Sequence, residues 1–337
     1  MTLIVSAENI VREQWNDLVK KSPTASWFQT PQAYNFLCDV QNELTPFGFS
    51  VVADDKLKGV CIGYVVGNGK SEVGRFFTSR AVIHGGPLLA NDITDNELAE
   101  LLKAVTDKLK YSAIYIETRN FCDFARWKHV FKQCGLRYQP HYNYVQPTAT
   151  IERDMCYDRH HNIRQSVRNG LEVRIVTKDD KDFGQVITEF YDLLNTLYKR
   201  HLRLPLFSRS FYERLICQGD TRFFVAQQNG KVVGGEVCVV LEGSTLYSWY
   251  GCRDRTIRGI HPEVFATYKA ICWARDNGIP WFDFMGAGTP EQPYGVRDFK
   301  ARFGGKLVEY GRFLKVNAPI RYAIGKAGIK ILHLFNN

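Results

Sequence analysis

The chain has 337 residues, 45% of them hydrophobic, which is long enough for more than one core and too apolar for a disordered protein. Lysine and arginine outnumber aspartate and glutamate by 44 to 35, giving a net charge of +9 that favours anionic partners such as phosphates, nucleotides or an anionic membrane surface. The nine cysteines include no CxxC pair, which argues against a zinc site and for thiols in a reducing compartment. Met1–Glu8 does not resemble a signal peptide, so we expect a cytoplasmic protein.

The first half of the chain alternates helix and strand patterns, as α/β folds do. Two adjacent strands are separated by Asp54-Asp55-Lys56, which is typical of a turn, and the longest helix can be capped by Asp92 or Thr94. In chain order the pattern predicts a helix over Ala7–Lys20, strands over Phe49–Ala53 and Lys58–Val66, a helix over Asp95–Lys110, a strand over Ala113–Glu117 and a helix over Cys122–Cys134.

The second half repeats this order after helical segments over Arg159–Arg168 and from Phe183 to about Arg200. Asn229-Gly230 predicts a tight hairpin. The other predicted elements are strands over Arg222–Gln227, Lys231–Leu241 and Thr245–Tyr250, a helix over Pro262–Asn277 and a strand over Trp281–Phe284. An aromatic–basic segment before glycine closes both halves, so we expect a duplicated domain with a boundary near residue 150.

Two segments of the second half carry a motif. The helix pattern Pro262–Gly278 is followed by Trp281–Gly286, which reads WFDFMG, and Gly295–Gly305 reads GVRDFKARFGG. Together they resemble the C-terminal signature of the FemABX family, in which a helix precedes a short fDfgG strand and the sequence G-x-x-x-F-K-x-x-F-G-G. With the repeated order of elements, the resemblance extends over almost the whole chain.

The resemblance implies an α/β (α+β) fold of two tandem GNAT-like domains, 1–150 and 151–337, facing each other across a cleft. Family members transfer an amino acid from aminoacyl-tRNA to the amine of a nucleotide- or lipid-linked peptidoglycan precursor. They need no bound cofactor and no metal. The implied partners are therefore aminoacyl-tRNA and a cell-wall precursor, in the cytoplasm or at the inner face of the membrane.

Two residues of the motif match positions that act in catalysis in the family. Lys300 matches the catalytic lysine, and Phe299 matches the aromatic residue thought to position the acceptor end of tRNA. An amine that attacks an ester creates a tetrahedral oxyanion, and a fixed cation beside that oxygen stabilises the transition state more than the ground state. Outside this motif, Lys300 would be interpreted as a solvated charge and Phe299 as a core residue.

Five further residues fall where the family contacts its substrates. Arg200 follows a long helix and matches an arginine that contacts the precursor's diphosphate, a role that suits the bidentate guanidinium. Trp249 and Tyr250 match an aromatic contact to the precursor. Arg164 and Arg168 share one helix face and are candidates for phosphates or tRNA. The alternatives are surface arginines and buried strand aromatics.

The sequence also departs from the family pattern. Ser22–Leu37 lacks the lysine that precursor-binding members carry there, which weakens the nucleotide-linked acceptor specifically. Arg255–His261 has a single glycine and is not the pyrophosphate-binding loop of an acyl-CoA enzyme. Two other hypotheses stay open: acyl-CoA-dependent N-acylation of an amino sugar in surface-polysaccharide synthesis, and a non-catalytic binding protein. The apolar, basic segment Ile320–Phe335 is expected to pack on its own domain, with contact to a membrane surface as the alternative.

Overall fold

The computed structural model describes residues 2–67, 78–202, 205–291 and 294–325. The chain forms two compact units, Met1–Pro140 with Tyr310–Asn337, and His141–Glu309. This division differs from the predicted boundary at residue 150. The difference arises because two strands pair with a sheet other than the one that their position in the chain predicts.

The first unit is built on one sheet with the strand order β1-β2-β3-β4-β6-β15-β7, and β5 pairs with β3. Its strands are β1 (Thr2–Ser6), β2 (Thr45–Ala53), β3 (Lys56–Val66), β4 (Arg80–Gly85), β5 (Leu88–Leu89), β6 (Tyr115–Asn120), β7 (Arg137–Gln139) and β15 (Arg312–Val316). Its α-helices are α1 (Arg12–Lys21), α2 (Pro31–Asp39), α3 (Asp95–Leu109) and α4 (Lys128–Gln133), and short 3-10 turns cover Ala7–Asn9, Trp27–Gln29 and Ala125–Trp127.

The second unit has a seven-stranded sheet in the order β14-β8-β13-β12-β11-β10-β9. The strands are β8 (Tyr142–Pro147), β9 (Leu171–Val176), β10 (Thr221–Gln228), β11 (Lys231–Leu241), β12 (Thr245–Arg253), β13 (Trp281–Gly286) and β14 (Lys306–Glu309). The helices are α5 (Ile151–Asp154), α6 (Tyr157–Arg168), α7 (Phe183–Thr196), α8 (Arg209–Ile216), α9 (Pro262–Asp276) and α10 (Gly295–Ala301), with a 3-10 turn over Thr148–Thr150 and a π-helical turn over Leu197–Leu202.

The two displaced strands explain the boundary. β8 pairs antiparallel with β13 and β14, so it belongs to the second unit although it precedes residue 150. β15 pairs with β6 and β7 and brings the end of the described chain back to the first unit. There Phe313 stacks on Phe131 with ring centroids 3.8 Å apart, so the core of the first unit includes a residue from β15.

Most of the predicted elements are present, with shifted ends. Both hairpins turn through two residues in the left-handed region, Asp54 with Asp55 and Asn229 with Gly230, as tight hairpins require. Thr94 caps α3 in a capping box with Glu97.

Three predicted boundaries in the first unit are wrong. The first helix begins at Arg12 because Ala7–Asn9 forms a 3-10 turn. The predicted helix over Cys122–Cys134 shortens to α4, since the Asp123 carboxylate accepts the Ala125 N–H and starts a 3-10 turn there. The strand predicted over Ala113–Glu117 extends further, because Thr118–Asn120 also pairs with β4 and continues β6.

Each unit contains one parallel strand pair with a helix between the two strands, which supports the predicted duplication. In the first unit, β4 and β6 pair over six residues, from Arg80–Tyr115 to Gly85–Asn120. In the second unit, β12 and β13 pair over three residues only and stop at Tyr247–Asp283. The parallel pair in the second sheet is therefore shorter, and β12 and β13 separate after Tyr247 and Asp283.

Candidate active site in the second unit

The opening between β12 and β13 coincides with an irregular stretch of β13. The antiparallel register of β13 with β8 shifts between Asp283 and Gly286, and Met285 has a φ of +60°. Such a bulge interrupts the ladder and re-aims the backbone groups beside it. The carbonyls of Phe284 and Gly286 consequently need partners from outside the sheet.

Lys300 provides those partners. It lies on α10, is only 8% exposed, and its Nζ donates to the Phe284 oxygen at 2.6 Å and the Gly286 oxygen at 2.7 Å. Burial lowers the pKa of Lys300 to about 8, opposed by the Asp283 and Glu236 carboxylates. An ammonium has three donors, and the third has no acceptor in the part of the chain that the structure describes. The interpretation of Lys300 as a solvated charge is therefore wrong.

Two buried carboxylates lie near this ammonium. Asp283 accepts the Met285 N–H at 2.5 Å, and burial raises its pKa to about 7, against the opposing effect of Lys300. Glu236 accepts a hydrogen bond from the Ser248 hydroxyl, and burial raises its pKa to about 7 as well. A single ammonium among buried carboxylates makes the charge state of the whole group sensitive to pH near neutrality.

Phe299 is held by an arginine that sequence reasoning did not select. The guanidinium carbon of Arg159 lies 4.5 Å from the centroid of the Phe299 ring and 5.3 Å from that of Phe303. Its Nη2 donates to the Phe299 oxygen at 3.2 Å, and Arg159 is buried. The signal for Arg159 in the sequence was its charge at the start of the basic segment. The helical spacing of that segment favoured Arg164 and Arg168 instead.

Trp249 and Tyr250 lie side by side at a second bulge. Tyr250 pairs with Val237 and Ser248 pairs with Cys238, so Trp249 is the extra residue. The two half-buried rings stack with centroids 5.2 Å apart, and Tyr250 also meets Tyr212 of α8 at 4.9 Å. Consecutive residues of a regular strand point to opposite faces, so this aromatic pair depends on the bulge.

The three predicted phosphate-binding arginines are all exposed. Arg164 and Arg168 lie on α6, with the Arg164 guanidinium 5.9 Å from the centroid of the Tyr157 ring. Arg200 lies in the π-helical turn Leu197–Leu202. No contact among the described residues joins any of them to Lys300, and their roles stay predictions.

Comparison with known proteins agrees with this arrangement. Residues 158–300 match the family described as "Acetyltransferase (GNAT) domain", and the match ends at Lys300. The chain is also similar to the crystal structure of FemX, with a TM-score of 0.68 at 14% identity over 96% of this chain and 99% of that one. The second unit therefore contains an acetyltransferase (GNAT) domain, and the fold of the chain is similar to that of FemX.

Two further structures share the fold of this chain. One is the C-terminal domain of a putative lysylphosphatidylglycerol synthetase from Agrobacterium fabrum, with a TM-score of 0.60 at 12% identity over 94% of this chain and 96% of that one. The other is a tandem GNAT protein from the clavulanic acid biosynthesis pathway, with a TM-score of 0.55 at 11% identity over 94% and 99% of the two chains. Among curated protein sequences, none matches this chain.

Other features concern metals, membranes and thiols. Within the described ranges, no group of three or more histidine, cysteine or acidic residues is placed to hold a metal ion. No described helix has both the length and the apolar character needed to span a bilayer. All nine cysteines are free thiols, as their spacing predicts. Of the segment Ile320–Phe335, residues 326–335 lie outside the described residues.

Proposed function

We propose that this GNAT acyltransferase transfers an aminoacyl group from aminoacyl-tRNA to the amine of a peptidoglycan-precursor peptide. The observation that carries the proposal is the fixed ammonium of Lys300, which has two N–H groups bound to backbone carbonyls and a third without an acceptor among the described residues. The likeness to FemX supports a cell-wall acceptor. The proposal requires no bound cofactor and no metal.

The reaction proceeds at the ester carbonyl of the donor. The acceptor amine attacks the carbonyl carbon, a C–N bond forms, and the oxyanion accepts the third N–H of Lys300. Because the two carbonyl bonds already fix the ammonium, it needs no reorganisation as the negative charge develops. The C–O bond to the terminal ribose then breaks, and the ribose oxygen takes up the proton that the attacking nitrogen loses and leaves as a hydroxyl. Phe299, half-buried beside Lys300, orients the donor's terminal nucleotide.

Binding of the two substrates is assigned to the exposed groups. Arg200, Arg164 and Arg168 are free to meet phosphates of the precursor or of tRNA, with Arg200 assigned to the precursor's diphosphate. The stacked pair Trp249 and Tyr250 offers an aromatic surface to the precursor. These assignments place the protein in the cytoplasm, or at the inner face of the membrane when the acceptor is lipid-linked.

A specific feature of α9 favours aminoacyl-tRNA over an acyl-CoA donor. Pyrophosphate groups bind at helix N-termini, where backbone N–H groups and the helix dipole attract negative charge. The first turn of α9 instead contains Glu263, whose Oε2 lies 3.4 Å from the Nε of Arg253. A pyrophosphate at that position would have to compete with the Glu263 carboxylate for Arg253.

The alternative donor nevertheless has one observation in its favour. The tandem GNAT protein from the clavulanic acid pathway is described with reference to AcCoA, so the fold is connected with acyl-CoA. The second candidate function is accordingly acyl-CoA-dependent N-acylation of an amino sugar for surface polysaccharide.

Direct transfer assays separate the two functions. Purified protein is incubated with aminoacyl-tRNA or acetyl-CoA, and with a nucleotide-linked precursor peptide, its lipid-linked form or an amino sugar, and products are identified by mass spectrometry. We expect an aminoacylated precursor peptide. An acetylated amino sugar without any aminoacyl product would select the second function, and no product with any pair would contradict both.

A further inference from the structure

Glu236 is a buried carboxylate that the fold does not explain. It lies in the middle of β11 with 4% of its surface exposed, between apolar neighbours such as Val237. Its Oε1 accepts a hydrogen bond from Ser248, whereas its Oε2 is buried without a hydrogen bond of good geometry among the described residues. Burial of such a group lowers the stability of the fold. Its presence in the core therefore indicates a functional role.

The cross-strand partner of Glu236 is a glycine, which leaves room beside the Glu236 side chain. Gly251 of β12 pairs with Glu236 and is exposed. A Cβ atom at Gly251 would meet only two atoms within 4 Å, the Gly235 oxygen at 3.7 Å and the Glu236 Cγ at 4.0 Å. The space over Gly251 is therefore open and borders the Glu236 side chain directly.

The charged groups that act on Glu236 lie on two helices, α9 and α10. Glu263 of α9 adds a like charge that raises its pKa, and Lys300 of α10 adds an opposite charge that lowers it, together with the hydroxyls of Ser248 and Thr267. Asp283 of β13 interacts with the same Lys300. Lys300, which can bind an oxyanion, and Glu236, which can bind a proton, thus influence each other's charge within the second unit.

We propose that Glu236 is the proton acceptor for the attacking amine, reached over Gly251. The acceptor amine enters as an ammonium and gives one proton to Glu236 as its lone pair becomes available, and the C–N bond then forms at the donor carbonyl. The nitrogen of the tetrahedral intermediate then carries one proton more than an amide. As the ester C–O bond breaks, this proton passes to the ribose oxygen, and Glu236 releases its own proton to solvent. The residue ends the cycle as a carboxylate. This inference rests on the proposed acyl transfer.

The test is a pH series of single-turnover transfer rates for wild type, Glu236→Gln and Glu242→Gln. Glu242 follows β11 directly and is exposed, so its variant makes the same chemical change outside the site. In wild type, we expect the rate to rise with pH through about 7, since burial raises the pKa of Glu236 to about 7. In Glu236→Gln that rise disappears and the rate falls by roughly 10²-fold or more, while Glu242→Gln equals wild type.

A second nucleophile distinguishes a loss of proton transfer from a structural effect of the Glu236→Gln substitution. Hydroxylamine is largely unprotonated at neutral pH, so its reaction needs no proton acceptor before attack. We expect Glu236→Gln to keep the wild-type rate with hydroxylamine. Equal losses with both nucleophiles, or an unchanged pH profile in Glu236→Gln, would overturn the assignment while leaving the transfer function intact. Absence of transfer by wild type would instead overturn the proposed function itself.

Discussion

Replacing Lys300 by methionine removes the ammonium and keeps most of the side chain's volume. The carbonyls of Phe284 and Gly286 lose their donors, and a buried polar group without a partner costs about 1–3 kcal/mol. Relief from burying a charge offsets part of this loss. We therefore expect the free energy of unfolding to fall by about 1–3 kcal/mol, with the protein still folded at room temperature.

The effect on catalysis is larger and has a different cause. Removal of one oxyanion donor typically lowers kcat by about 10²–10³-fold, and the groups on β12 that are proposed to bind the acceptor are untouched. We therefore expect a loss of that size in kcat with little change in KM. The assay is single-turnover transfer at saturating substrate, with a thermal melt on each preparation to confirm folding.

The matched control is Lys306→Met, which removes an exposed lysine of β14 and should leave both rate and stability unchanged. A Lys300→Met protein that melts cooperatively and transfers at the wild-type rate would refute the catalytic role. In that case the hydrogen bonds to the bulge would be the whole function of the side chain.

Three further results are expected. The wild-type transfer rate should fall as pH rises through about 8, because burial lowers the pKa of Lys300 to about 8 and the neutral amine stabilises an oxyanion poorly; a rate that stays flat to pH 10 would contradict this. Arg159→Met should lower kcat by up to about 10²-fold with KM nearly constant, through misplacement of Phe299; a change confined to the melting temperature would show a purely structural role. Gly304→Ala should lower the melting temperature by more than about 2 °C, because Gly304 has a φ of +94° and its Cβ would lie 2.1 Å from a backbone oxygen. Gly219→Ala, with nothing within 4 Å of its Cβ, is the control and should melt like wild type.

The hairpins and the helix cap could be predicted from local sequence features. The two hairpins follow from Asp54-Asp55 and Asn229-Gly230, which tolerate the left-handed backbone that a two-residue turn needs. The capping box of α3 follows from Thr94 in the same way. The family resemblance also selected Lys300, since a motif of eleven positions is far more specific than a lysine alone.

The features missed by sequence reasoning depend on distant partners. The predicted elements included no strand over residues 142–147, and local sequence does not show which sheet such a strand joins, so the domain boundary was displaced. The bulges in β12 and β13 place Trp249 beside Tyr250 and turn two carbonyls towards Lys300, and no local pattern signals them. Glu236 was overlooked because a single glutamate in an apolar strand has no spacing to interpret.

The return of β15 to the first sheet has a consequence for biosynthesis. A ribosome releases all of β1–β7 long before Arg312–Val316 emerges, so the first unit cannot complete its sheet or its Phe131–Phe313 stack during synthesis of its own residues. The second unit, whose strands are contiguous in the chain from Tyr142 to Glu309, can fold while the first still waits. The first unit can therefore complete its fold only after the second has been synthesised, although domains generally fold in order from the N-terminus.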